Sequence, residues 1–161
     1  MMRFNSSTIY PVLMLAGLVL ISVESIGCAS EESAAESRME EAQPDLTVAR
    51  DISDVELMAL LNDRPDLLLV DVRTDREWQK GHIGGACFLD FLEDDFRERA
   101  ASLPKDRPIA VYCAAGGRSA DAMAFLSNAG FKEVYNLRGG FYGWEDAGRE
   151  VSNGPPVPLP E

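Results

Sequence analysis

Two runs of nearly unbroken hydrophobicity, residues 67–72 (LLLVDV) and 108–112 (PIAVY), punctuate a chain whose other apolar residues are spaced out among polar ones. Short continuous runs of this kind read as strands buried on both faces. Between and around them the pattern changes period. Ile52, Val55, Leu57, Met58, Leu60 and Leu61 recur at helical spacing behind Ser53, with Asp54 and Glu56 in the first turn, so a capped helix is expected there, ended by residues 62–65 (NDRP). Residues 74–80 form a short helix stopped by Gly81, and residues 86–89 a short strand. An amphipathic helix is expected over 93–102, and a further helix over 118–128, closed by Gly130. A third strand follows at 133–137, then a last helix over 140–147. The proline-rich tail, residues 152–161, is expected to remain unpacked. Strands alternating with helices give an α/β fold, a parallel sheet covered by helices on both faces. Ligands of such sheets bind beyond the carboxyl ends of the strands. The residue that follows the run at 108–112 is Cys113.

The N-terminal region departs from this pattern. Arg3 is the sole charge in the first 23 residues, and residues 9–23 are almost wholly apolar. That run is shorter than the ~20 residues a bilayer-spanning helix needs, and it reads as an export signal over residues 1–27. Ser25-Ile26-Gly27-Cys28 resembles the lipobox of bacterial lipoproteins, with Ser25 where leucine is usual. Cys28 is therefore the expected lipidation site, which would place the protein on the periplasmic face of a bacterial membrane. Plain cleavage into a soluble periplasmic or secreted form, and an uncleaved anchor, are the alternatives. Residues 28–45 are small, polar and acidic, with Glu31, Glu32, Glu36, Glu40, Glu41 and Asp45 against Arg38. Such a segment cannot bury enough apolar surface to fold, and it reads as a flexible tether. The folded domain is expected over residues 46–151. The net charge of −12 argues against a nucleic-acid partner and against electrostatic docking on anionic lipid, leaving the lipid anchor as the membrane contact. Three widely spaced cysteines and one histidine make neither a disulfide framework nor a metal site, and no cofactor is implied.

The chemistry concentrates in residues 111–120, VYCAAGGRSA. A strand ends, Cys113 follows, and Ala114, Ala115, Gly116 and Gly117 lead to Arg118, Ser119 and a helix. Small side chains let the backbone curl around the thiol, and glycines allow dihedrals that turn successive N–H groups inward. Such a nest attracts anions, and the positive end of the helix adds to it. Arg118 supplies a fixed cationic fork. A thiol in that setting ionises below its usual range. It needs no general base and can attack a sulfur that carries a good leaving group. Thiosulfate would lose sulfite and leave a persulfide on Cys113, which a thiol or cyanide then discharges.

Three separated segments, spanning about residues 48–147, resemble the rhodanese family. Asp71-Val72-Arg73 with Glu77, Trp78, Gly81-His82-Ile83 and Gly85-Ala86 matches the first signature, with Gly84 where the family often has proline. Residues 112–119 match the active loop, and Gly130-Phe131, Val134, Asn136-Leu137, Gly139-Gly140 and Trp144 match the closing signature. The resemblance implies a five-stranded parallel sheet and a six-residue loop, residues 113–118, that binds a sulfane sulfur. It implies a sulfurtransferase using small sulfur-containing anions and thiol acceptors.

Two rival functions remain. Rhodanese-like phosphatases and arsenate reductases place arginine one residue later, because a tetrahedral oxyanion needs a wider cradle. A sulfur-carrier or docking module without turnover would keep the fold and need not use small acceptors. Around the loop, Asp71 and Arg73 read as a structural charge network and His82 as a turn residue making a structural hydrogen bond, with a Cys–His dyad as its alternative. Ser119 either caps the helix or contacts substrate. Cys87 reads as a small core residue, with a resolving thiol opposite Cys113 as the alternative.

Overall fold

The computed structural model describes residues 47–160. The expected export signal, Cys28 and the whole of the tether lie outside them. Five strands, β1 (Val48–Ile52), β2 (Leu68–Asp71), β3 (Cys87–Phe88), β4 (Ile109–Tyr112) and β5 (Glu133–Leu137), form one sheet in the order β1-β5-β4-β2-β3. Every pairing is parallel. The two unbroken apolar runs are the inner strands β2 and β4, and all four residues of each are buried.

Five helices cover the two faces: α1 (Asp54–Asp63), α2 (Asp75–Trp78), α3 (Phe96–Ala101), α4 (Gly117–Asn128) and α5 (Gly140–Asp146). The period-2 alternation of β4 shows how the sheet divides the core. Ile109, Val111 and Cys113 face a cluster with Phe96 and Ala100 of α3 and Ala122 and Leu126 of α4. Ala110 and Tyr112 face the opposite cluster, with Leu57 of α1, Trp78 of α2 and Phe141 and Trp144 of α5. The α1 cap forms as expected. Glu56 N–H donates to Ser53 Oγ at 3.3 Å, and Ser53 N–H donates back to Glu56 Oε2 at 2.9 Å.

Two expectations need correction. Ile52 belongs to β1 rather than to the stripe of α1, and β1 as a whole is not visible in the hydrophobic pattern. It is an edge strand with one buried residue, Ile52, so its other positions stay polar or exposed. The tail is packed, not free. Ser152 and His82 exchange backbone hydrogen bonds at 2.8 and 2.9 Å, Val157 N–H donates to Ala86 O at 3.0 Å, and Leu159 rests on the core. Proline cannot donate to a ladder but can lie along an edge. This tail lies beside β3, the far edge of the sheet.

Candidate active site

Cys113 lies at the carboxyl end of β4 and is 2% exposed. The chain then turns through Ala114, Ala115 and Gly116 into α4, so Cys113, Gly117, Arg118 and Ser119 converge on one loop and one helix N-terminus. Gly116 adopts φ +96°, and a Cβ there would lie 2.1 Å from Arg138 O, so glycine is required on both counts. Its N–H donates to Cys113 Sγ at 3.2 Å, and Ser119 Oγ stands 3.5 Å from the same sulfur. The loop is held from below by the start of α5. Phe141 N–H donates to Cys113 O at 2.7 Å and Tyr142 N–H to Ala114 O at 3.0 Å.

Burial alone would push the Cys113 thiol up. Hydrogen bonds from the Ser119 hydroxyl and from the backbone at Ser119, Ala115 and Gly116 outweigh it and leave the thiol below its ordinary value of 9.0. Cys87 shows the opposite case. Its thiol is pushed up by burial and donates to Pro158 O at 3.6 Å. Cys87 pairs with Val70, and Val70 with Val111, so two strand spacings, about 10 Å, separate it laterally from the β4 line. That exceeds the ~7 Å reach of a disulfide and rules out a resolving role in this conformation. Both thiols are free.

The supporting residues take structural places. Arg73 chelates the Asp71 carboxylate with Nε at 2.9 and 3.0 Å and Nη2 at 2.7 Å, and Nη2 also donates to Gly81 O at 2.7 Å. Both side chains are buried, and the Arg73 guanidinium lies 4.0 Å from the centre of the Phe141 ring. This knot ties the end of β2 to the start of α5 and so supports the loop indirectly. The His82 ring stacks on Trp78 at 3.7 Å, and burial lowers its pKa. It makes no hydrogen bond to Cys113, so no Cys–His dyad exists here. The structural hydrogen bonds expected of His82 are made by its backbone, to Ser152.

Arg118 does not stand free. Its guanidinium forms a bidentate ion pair with Glu77, Nη2 to Oε1 at 2.6 Å and Nη1 to Oε2 at 2.9 Å, at the partly exposed rim. The Arg118 ion pair is the main cause that holds Glu77 down to about 2. Arg118 in turn is raised, by Glu77 first and by the nearby Cys113 sulfur to a smaller degree. Sequence reasoning passed over this role of Glu77. The spacing of Thr74 and Glu77 signals a helix cap, and that cap is made, Thr74 N–H donating to Glu77 Oε2 at 3.0 Å. Nothing in the sequence links Glu77 to an arginine 41 positions away. Glu77 also lines a recess of about 190 Å3 with Arg73, Lys80, Phe141, Tyr142 and Glu145. A larger hollow of about 530 Å3, lined by Met58, Leu61, Ile83 and Trp144 among others, includes no residue of the loop.

Comparison with known proteins agrees with this geometry. The family model described as "Rhodanese-like domain" matches residues 53–147. A protein named sulfurtransferase from Allochromatium vinosum is 36% identical over 114 residues, covering 71% of this chain and 99% of the relative. The thiosulfate sulfurtransferase GlpE of Coxiella burnetii is 34% identical over 96 residues, 60% of this chain and 87% of that one. The crystal structure of a rhodanese-related protein from Thermoplasma volcanium superimposes with a TM-score of 0.58 at 30% identity, covering 65% of this chain and 99% of that chain. The matched span contains the buried strands, the cysteine loop and its arginine, and the chain belongs to the rhodanese-like domain family.

Proposed function

We propose that the protein is a sulfurtransferase that carries a sulfane sulfur as a persulfide on Cys113. The observation that carries this reading is the ring of donors on Cys113 Sγ, led by Gly116 N–H at 3.2 Å, at a helix N-terminus. Such a site stabilises negative charge on sulfur. The thiolate attacks the outer sulfur of the donor, a new S–S bond forms, and the donor's own bond to that sulfur breaks. With thiosulfate the electron pair leaves on sulfite. The nest then holds the terminal sulfur of the persulfide, and a thiolate or cyanide removes it and restores the Cys113 thiolate. Arg118 stands one residue closer to the cysteine than in the phosphatase loop, which supports a cradle sized for sulfur. The names of the relatives from A. vinosum and C. burnetii support the same class. The lipobox-like Cys28 supports, for the full chain, anchoring to the periplasmic face of a membrane.

Intact-mass measurement on the full chain tests the chemistry. Incubation with a sulfane-sulfur donor should add one sulfur atom, cyanide should remove it, and Cys113→Ser should add none. Repeated thiocyanate release with cyanide in excess separates an enzyme from a carrier that loads once. Absence of any mass gain on a free Cys113 thiol would overturn the proposal.

A further inference from the structure

The cation expected to receive an anionic donor is already occupied. Glu77 takes both outer nitrogens of Arg118, and its Oε2, which accepts one of them, also accepts from Thr74 N–H at 3.0 Å and from the Thr74 hydroxyl at 2.7 Å. The pair is thus held from two elements, α2 and α4, and is not a loose surface contact. The recess beside it repeats the sign. Its wall carries the carboxylates of Glu77 and Glu145 against Lys80, while its other cation, Arg73, is neutralised by buried Asp71. A donor whose sulfane sulfur reaches Cys113 must leave its remaining atoms near this rim. A second negative charge there meets a guanidinium already satisfied and carboxylates that repel it.

We propose that Glu77 is a specificity-determining positioning residue: by holding Arg118 in a bidentate pair at the rim, it selects donors with one negative charge, such as organic persulfides and thiosulfonates, over dianionic thiosulfate. The inference rests on the sulfurtransferase reading and names its donor class. The chemical step is the same for both donors. The Cys113 thiolate attacks the sulfane sulfur, and the leaving group takes the bonding pair, as methanesulfinate from methanethiosulfonate or as sulfite from thiosulfate. Only the charge of the part left at the rim differs.

The test uses the full chain and its Glu77→Gln variant, with methanethiosulfonate and thiosulfate as donors, cyanide as acceptor and thiocyanate as the readout. Glutamine keeps an oxygen for Thr74 N–H, so the α2 cap survives. The ratio of kcat/KM for thiosulfate to that for methanethiosulfonate should rise about tenfold in the variant, the scale of one unit charge acting on one extra charge across a partly solvated rim. The gain should appear mainly in the KM for thiosulfate. A second measurement needs no variant. In the unmodified protein the same ratio should rise with ionic strength, because salt screens the repulsion. A ratio unchanged in Glu77→Gln, or one that falls with salt in the unmodified protein, overturns the inference while leaving sulfur transfer intact. No thiocyanate from either donor overturns the sulfurtransferase reading and this inference with it.

Discussion

Cys113 differs from Cys87 not in exposure, since both are buried, but in what surrounds the sulfur. Cys87 meets a carbonyl oxygen, which can accept a hydrogen bond but cannot stabilise a thiolate, and burial raises its pKa. Cys113 meets N–H and O–H donors, and its pKa falls despite burial. The Ser119 hydroxyl is the largest of the contributions that lower it, so Ser119→Ala should move the thiol back up towards 9.0. The direction has a measurable consequence. A thiol that ionises below its ordinary value is more fully thiolate on the acid side of 9.0, and that excess shrinks when its pKa rises. Alkylation of the Cys113 peptide by iodoacetamide, followed by mass spectrometry across pH, should therefore slow about tenfold near neutral pH in the variant, on the scale of one charge-assisted hydrogen bond. The inflection of the rate profile should shift to higher pH. An unchanged profile would mean that the backbone donors alone set the reactivity. The Cys87 peptide of the same digest, unreactive throughout, gives an internal control.

The loop owes its shape to the elements on either side. α4 begins at Gly117 and presents its N-terminus to the sulfur, while α5 begins at Gly140 and clamps the carbonyls of Cys113 and Ala114. Gly140 has φ +59°, and a Cβ there would lie 2.5 Å from Cys113 O. Gly140→Ala should cost about 1–3 kcal/mol from the backbone strain alone, with the clash adding to it. It should lower the melting temperature and reduce persulfide loading together; a variant with native stability and loading would show that α5 does not set the loop. Much of this was legible beforehand. The runs that became β2 and β4, the cap at Ser53 and the Gly-Gly-Arg turn carry their signal in adjacent residues, so the strands, α1 and the cysteine loop could be read directly. β1 could not, because an edge strand with one inward residue has no apolar run and its first residues look like linker. Glu77 could not either, because its partner Arg118 is brought to it only by the packing of α2 beside α4. Local periodicity reports local structure, and the rim of the site is a product of long-range contacts.

At the scale of the whole molecule, the sheet has two edges and treats them differently. β1 lies at one edge and keeps polar or exposed side chains there. β3 lies at the other, has two residues, and is covered by residues 152–160. The tail closes the β3 edge with the paired hydrogen bonds between Ser152 and His82, the hydrogen bond from Val157, and the contact of Leu159 with the core. It thereby buries the bend through His82 and Ile83, whose N–H reaches the hydroxyl of Tyr112 at 3.0 Å, the last residue of β4 before Cys113. Ending the chain after Val151 removes three backbone hydrogen bonds and the apolar contact of Leu159. With about 1 kcal/mol for each hydrogen bond and a similar amount for a partly buried leucine, less the chain entropy regained, the net loss should be about 2 kcal/mol. A domain of this size should then melt roughly 8 °C lower. The truncated chain should also expose Cys87, whose thiol now lies under Pro158, so that alkylation of Cys87 in the native state becomes measurable. A truncated chain with an unchanged melting temperature and a silent Cys87 would mean that the strap contributes nothing to the fold. The alternative outcome, a lower melting temperature with Cys113 still loading sulfur at its normal rate, would place the strap in stability and leave the loop to β4, α4 and α5.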